Sequence, residues 1–300
     1  MNDTILLENQ AYWTQRAPSY SQVNREELAT DRRETWKQIL VERISTRFPN
    51  KKPDEIHVLE VGTGPGFFAI LLAEAGYRVT AIDLTPSMLA EARINAGSLS
   101  DRIHFMEMNA EALSFPSESF EVIVSRNVTW NLPEPDLAYA EWARVLRPGG
   151  MLMNFDANWY HYLFDDEARD AYAQDRENSA DEGLADLNVG ENFDHMEQIA
   201  RQIPLSKANR PAWDIQTLVN LGMSVEADTR IWERVWSHQE KVNFASTPMF
   251  LVCGGKTEFR WSCKSQHKPR PDAPVSNPDH DCFKVTRQSP PVIRVDRPRW

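Results

Sequence analysis

Cysteine is scarce in this 300-residue sequence, with three residues at Cys253, Cys263 and Cys282. An odd and sparse set builds no disulfide framework and points to a reducing compartment. No run of about eighteen apolar residues occurs, so no bilayer-spanning helix is expected. The opening Met1-Asn2-Asp3-Thr4 leads into a polar segment rather than the apolar core of a secretory leader. A cytosolic protein is the expectation. A phosphate-binding Walker loop and a nucleophilic triad are also missing. Glycine is absent from residue 257 onward, although the sequence holds twelve, and seven of its nineteen prolines fall there.

The charge is low in basic residues where a polyanion binder would need them. The formal net charge is −11, yet residues 257–300 carry nine Lys/Arg against five Asp/Glu, so the first 256 residues carry −15. So acidic a body lacks the footprint of a protein that tracks phosphate backbones. Nucleic acid is therefore not the expected partner.

What is present begins with apolar content of 41 % and ten tryptophans, enough for a sizeable core. Residues 5–20 and 24–48 read as two helices, the second through Trp36, Ile39, Leu40 and Ile44 at helical spacing. Beyond Pro49 and Pro53, strand-like runs at 56–61, 78–82, 103–108, 120–124 and 151–155 alternate with helix-like runs at 67–75, 87–96 and 134–145. That alternation means crossover units and a mostly parallel sheet. Residues 158–210 interrupt it with an acidic stretch that offers short helices at 165–175 and 195–202 and no convincing strand. A helix at 213–221 and strands at 224–232 and 248–252 close the domain. The expected organisation is a helical cap over 1–50, a domain over 51–256 with a lid insertion at 158–210, and a proline-rich, disordered tail over 257–300.

The chemistry starts at Glu60-Val61-Gly62-Thr63-Gly64-Pro65-Gly66, where a strand turns into a helix. Glycines let the backbone turn sharply and approach a ligand, and the helix that follows presents free N–H groups. Asp83 follows Gly62 by 21 residues at the tip of the next strand. A carboxylate there can accept hydrogen bonds from both hydroxyls of a ribose. A dinucleotide fingerprint requires a third glycine where this sequence has Phe67, and Glu60 places a negative charge where two phosphates would lie. A sulfonium cofactor carries positive charge and no phosphate, so S-adenosylmethionine fits and NAD does not.

The segment 58–154 resembles the catalytic core of class I methyltransferases, in particular the small-molecule group of the ubiquinone/menaquinone (type 11) enzymes. Besides the glycine loop and Asp83, the resemblance is carried by Asn109-Ala110-Glu111, by Phe120-Glu121-Val122-Ile123-Val124-Ser125 and by Arg147-Pro148-Gly149-Gly150. Asn109 stands where the family has Asp. The resemblance implies a Rossmann-like α/β fold with seven strands in the order 3-2-1-4-5-7-6, strand 7 antiparallel, and helices on both faces. It also implies that Gly62, Thr63, Gly64 and Gly66 line the methionine end and that Asp83 holds the ribose. Leu84 and Met88 would flank the adenine. Asn109, Ala110, Glu111, Glu60 and Ser125 complete the expected cofactor set. Tyr12-Trp13, Arg16-Ala17 and Tyr20-Ser21 are similar to an N-terminal helix that covers the cofactor in such enzymes. Arg16 would there meet the cofactor carboxylate, and Tyr12 or Tyr20 would cap the methionine portion. Packing on an amphipathic helix is the alternative for these aromatics.

A substrate is expected beyond the carboxyl ends of the strands. Asn127, Trp130 and Asn131 follow the fourth strand; Asn158, Trp159 and Tyr160 follow the fifth. The Asn/Asp-Pro-Pro-Tyr signature of amino-methylating nucleic-acid enzymes is absent. His161 and Asp156 are candidates for a base by placement alone, and Arg210 for an anion contact, with a structural salt bridge as its alternative. Cys263, His267, His280 and Cys282 match no common zinc module. The resulting expectation is methyl transfer from S-adenosylmethionine to a small molecule at N, O, S or C. The alternatives are a protein or RNA acceptor, a non-catalytic cofactor-binding module, or a nicotinamide oxidoreductase.

Overall fold

The computed structural model describes residues 2–188, 193–257 and 293–295. Two helices come first, α1 (Asn2–Leu28) and α2 (Arg32–Arg47). The break between them falls at residues 29–31, later than the sequence pattern suggests, and α1 runs on through Pro18. Contacts of its second half hold it in place: Asn95 Nδ2 donates to Ser21 Oγ at 3.0 Å and Arg25 pairs with Glu91 at 3.6 Å. A proline costs a helix one internal hydrogen bond, and such anchoring offsets the loss.

The alternation then follows as β1 (His57–Val61), α3 (Phe67–Glu74), β2 (Arg78–Asp83), α4 (Pro86–Ala96), β3 (Ile103–Glu107), β4 (Phe120–Arg126), α5 (Pro135–Val145) and β5 (Leu146–Asp156). Next come α6 (Asp166–Asp181), α7 (Phe193–Ala200), α8 (Ala212–Asn220), β6 (Ser224–Asp228), α9 (Trp232–Val235), α10 (His238–Asn243) and β7 (Phe250–Gly255). Sheet order is β3-β2-β1-β4-β5-β7-β6, with β7 antiparallel to both neighbours and the other pairs parallel. An eighth strand, β8 (Ile293–Val295), adds to the free edge of β6 in parallel. The expected tail therefore contributes a strand, while 258–292 and 296–300 lie outside the described residues, as do Cys263, His267, His280 and Cys282. Among the described residues no helix is long and apolar enough to cross a membrane.

Both sheet faces are packed. Trp36, Ile39, Leu40 and Ile44 of α2 join Phe68 and Leu71 of α3 against Val58, Val122, Met153 and Phe155. On the other face, Tyr139 and Trp142 of α5 and Leu218 of α8 cover Leu59, Ile123, Leu152 and Val252. Central strands buried on both sides need near-continuous apolar runs, and β1, β4 and β5 supply them.

The insertion is helical, as its composition indicates, and its described residues pack against α1. Met196, Ile199 and Ile203 pack on Ile5 and Tyr12 of α1. At its other end Asp175 accepts a hydrogen bond from Ser246 N at 2.9 Å, and Tyr162 stacks on Tyr172 with ring centroids 4.1 Å apart. Among the described residues the wall facing the glycine loop is α1.

A polar network lies buried where β4, β5, α5 and α8 meet. Arg210 grips Asp214 through Nε at 2.9 Å and Nη2 at 2.7 Å, and reaches Asp156 through Nη1 at 3.1 Å. All three side chains are fully enclosed. Thr129 and the Trp130 amide donate to Asp156 Oδ2, and Tyr139 donates to Asp214 Oδ1 at 2.7 Å. Asn154 joins the set by donating to Thr129 and Tyr139 at 3.0 and 2.8 Å. Removing one partner from a buried charge set strands the others. Arg210→Met is expected to lower stability by about 3–5 kcal/mol in urea unfolding, and adding Asp214→Asn to restore part of it.

Candidate functional site

The glycine turn sits at the carboxyl end of β1, in the centre of the sheet. Gly62 has φ +66°, and a Cβ there would come within 2.4 Å of a Val128 methyl. Only glycine lets the loop after β4 close onto it. Gly66 serves packing instead: its Cβ would meet Ala92 at 3.1 Å, so the start of α3 lies directly on α4. It does not line the cavity, unlike Gly62, Thr63 and Gly64.

Glu60 is buried beneath the turn. Its carboxyl accepts a hydrogen bond from Thr63 Oγ1 at 2.6 Å and faces the amides of Phe68 and Ala69. The first amides of α3 are therefore met by the protein's own acid, which removes the phosphate site that the strand-to-helix turn seemed to offer. Burial is the dominant influence on this carboxyl and pushes its pKa up to about 8, against the lowering pull of Thr63 and the two amides. Asp83, at the end of β2, is held in one orientation. Gly64 N donates to Oδ2 at 2.8 Å and Thr85 N to Oδ1 at 2.9 Å. Burial raises its pKa despite those two bonds. Each oxygen retains a lone pair for a ligand.

A cavity of about 1000 Å³, counted with the open solvent at its mouth, runs from these groups toward α5. Leu84, Met88, Asn109 and Ala110 line one end, with Met108, Leu132 and Pro133 beside them. Glu111 is turned away: it accepts a hydrogen bond from Glu134 N at 2.6 Å and fixes the start of α5. Asn109 caps its own turn by accepting from Glu111 N at 2.9 Å.

The roof is α1. Leu6, Asn9, Gln10, Trp13, Tyr20 and Asn24 recur at helical spacing along its inner face and line the cavity. Gln10 donates to the Leu84 carbonyl and Asn9 to the Asn131 carbonyl, each at 2.8 Å. The far end of the roof is clamped by Glu27, which pairs with Arg126 at the tip of β4 through two bonds of 3.0 and 3.1 Å. The Trp36 indole N–H also donates to Glu27, at 2.8 Å, and the Arg126 guanidinium lies over the rings of Trp36 and Phe67 at 4.6 and 4.7 Å. Tyr12 and Arg16, expected to face the cofactor, do not line the cavity; Tyr12 is buried between α1 and α7.

Of the substrate candidates after β4 and β5, the cavity receives Asn127 and Asn131 and not Trp130, Asn158, Trp159 or Tyr160. Asn127 takes φ +57°, an unusual left-handed conformation for a non-glycine residue, which turns its side chain toward Tyr20. Trp130 supports the loop by donating to the Asn127 carbonyl at 3.0 Å. Ser125 donates to Asn154 in the interior at 2.8 Å. Asn158 bonds the Ala208 carbonyl, and Trp159 packs between Trp236 and Phe244. Tyr160 lies on Trp130, and His161 Nδ1 meets the Ser206 carbonyl at 3.2 Å. Asp156 and Arg210 belong to the buried network. Neither candidate base lines the cavity, because the chain leaves β5 away from the glycine turn. The titratable side chains lining the cavity are Glu60, Asp83, Tyr20 and Arg126. The stripe on α1 was visible in the sequence as spacing, and Arg126 as a charge ending an apolar strand. Neither signal says which face meets the sheet.

A family model described as a methyltransferase domain matches residues 59–154. The ubiquinone/menaquinone biosynthesis C-methyltransferase UbiE of Bradyrhizobium sp. is 37 % identical over 123 residues, covering 39 % of this chain and 47 % of that protein. Its counterpart in Paracoccus denitrificans is 40 % identical over 126 residues, covering 39 % and 46 %. The chain thus spans less than half the length of the curated relatives it matches. A solved structure from Methanococcus maripaludis, of a candidate S-adenosyl-L-methionine-dependent methyltransferase, is 18 % identical. It superposes with a TM-score of 0.51 over 83 % of this chain and 95 % of that one. That likeness shows the fold. Residues 59–154 are a class I methyltransferase domain resembling the type 11 group, and S-adenosyl-L-methionine is the cofactor of that class.

The raised acid beneath the turn has a measurable cost. An acid whose folded pKa lies above its unfolded value loses stability as pH rises toward the folded pKa. Glu60→Gln is therefore expected to raise the melting temperature of the cofactor-free protein. The gain should grow from about pH 4.5 and level off near pH 8, the ordinary and folded values of this carboxyl. A gain independent of pH would contradict this account.

Proposed function

We propose that this chain transfers the methyl group of S-adenosylmethionine to a small molecule. The observation that carries the reading is Asp83, held by the amides of Gly64 and Thr85 at 2.8 and 2.9 Å beside a glycine turn whose helix amides face Glu60. With those amides already taken by Glu60, a pyrophosphate finds no free donors there, and a cofactor without phosphate fits. Asp83 would hold the ribose hydroxyls, and Leu84, Met88 and Asn109 the adenine. The glycine turn and Glu60 would border the amino-acid end. When bound, the cofactor supplies a methyl group on a positive sulfur, which leaves with the C–S electron pair returning to sulfur.

What the chain's own residues contribute is placement. Methyl transfer is an in-line displacement, and alignment alone lowers the barrier substantially. The roof helix and the loop 127–133 wall the cavity on two sides, and the water they displace strengthens the remaining electrostatic contacts. With neither histidine nor lysine among the described lining residues, the acceptor enters as a competent nucleophile or loses its proton to solvent. The acidic body opposes a nucleic-acid acceptor. The curated relatives are named for C-methylation in ubiquinone and menaquinone biosynthesis, and a carbon acceptor is one member of the proposed class. A cytosolic location belongs to the same proposal.

Isothermal titration should detect binding of S-adenosylmethionine and of S-adenosylhomocysteine, and none of NAD. Asp83→Ala is expected to weaken S-adenosylhomocysteine binding by about 1.5–3 kcal/mol, since charge-assisted hydrogen bonds are lost. Binding of NAD alone would end this reading.

A further inference from the structure

The cavity holds two acids and, among its described lining residues, one cation. Glu60 and Asp83 stand at the glycine turn, and Arg126 leaves the sheet beside it. Val61 of β1 pairs with Ser125 of β4, so Gly62 and Arg126 follow side by side from adjacent strands. The Arg126 guanidinium lies 4.7 Å from the ring centre of Phe67, the first residue of α3. It therefore stands at the amino-acid end of the proposed cofactor, away from the end lined by Leu84 and Met88.

That end of the cofactor carries a carboxylate, and the turn has little to offer it. The amides of Thr63, Gly64 and Gly66 donate to Ile82, Asp83 and Thr63 at 2.9, 2.8 and 2.9 Å. The Thr63 hydroxyl is spent on Glu60 at 2.6 Å, and Pro65 has no amide hydrogen. A carboxylate enclosed beside two acids requires a cation or several donors.

We infer that Arg126 holds the carboxylate of the cofactor's methionine portion while remaining bonded to Glu27. The inference rests on the methyl-transfer reading above. A guanidinium carries five N–H donors in one plane. Glu27 takes one from each Nη, at 3.0 and 3.1 Å, and no other described residue accepts from this guanidinium. The side chain is 16 % exposed and lines the cavity, so a ligand reaches it where little water competes. Arg16, the cation expected for this carboxylate, lies outside the cavity. Glu27 belongs to α1, so cofactor and roof share one cation, and Arg126 is a binding residue as well as a clamp.

The experiment compares two probes that differ in the carboxylate alone, S-adenosylhomocysteine and its decarboxylated analogue S-adenosyl-3-thiopropylamine. Isothermal titration of the wild type should favour S-adenosylhomocysteine by about tenfold or more, the scale of a charge-assisted pair. Arg126→Gln should erase or reverse that preference, since Glu60 and Asp83 then repel the carboxylate unopposed. Loss of the clamp alone would weaken both probes alike and leave the preference standing, which overturns the assignment. Arg126→Lys, which keeps the charge without the fork, should retain part of the preference and serves where the glutamine variant does not fold; an undiminished preference there also overturns it. Arg16→Gln should leave the preference intact, and its disappearance in that variant gives the carboxylate to α1 instead. Equal binding of the two probes to the wild type overturns the assignment outright. Wild type that binds neither probe defeats the methyl-transfer reading itself, and the assignment with it.

Discussion

The pair between Glu27 and Arg126 is the constraint on which the cavity depends. A sheet's carboxyl edge is open to water, and a binding site there requires something to cover it. Here the cover is a helix from the start of the chain, joined to the tip of β4 by two charge-assisted bonds of 3.0 and 3.1 Å. The pair is well enclosed and flanked by the rings of Trp36 and Phe67, so solvent screens it little. A surface pair of the same geometry would be worth little. Through Trp36, whose indole shares Glu27, the clamp also reaches the helix that packs the back of the sheet. Roof, strand and core helix are thus joined at one acid.

A second set of charges, around Arg210, shows how placement along a chain can mislead. Asp156 and Arg210 flank the segments that follow β5 and precede α8, where functional side chains are often found. In the fold they face inward and bond Asp214, Thr129 and Trp130. Their work is indirect. By fixing Thr129 and the Trp130 amide they set the course of the loop that carries Asn127 and Asn131 to the cavity. Whether a charged residue at a strand end faces ligand or interior depends on partners as far as 54 and 81 residues away, and spacing carries no record of them.

Local features were legible. The turn at Gly62 needs residues that adopt positive φ, Asp83 must end its strand, and apolar runs bounded by Gly and Pro mark buried strands. Each of these is encoded within a few positions. The order of β1 to β7 was implied by the resemblance to the methyltransferase family, since crossover handedness by itself leaves several orders open. The roles of α1 and the insertion were not legible in the same way. Both are helical with mixed faces, and which one touches the cavity is decided by packing between distant segments. Leu6, Gln10 and Trp13 line the site because Ile5 and Tyr12, on the adjoining face, are taken by Met196 and Ile199.

The strand at Ile293–Val295 bears on how this molecule behaves in a crowded solution. A sheet edge exposes a row of unpaired amides and carbonyls that another chain can join. In this fold the outer edge would be β6, a five-residue strand. Occupying it with three residues drawn from the far end of the same chain uses up those groups internally. Among the described residues the rim beyond β6 is three residues long, and a neighbouring copy finds little backbone there to pair with.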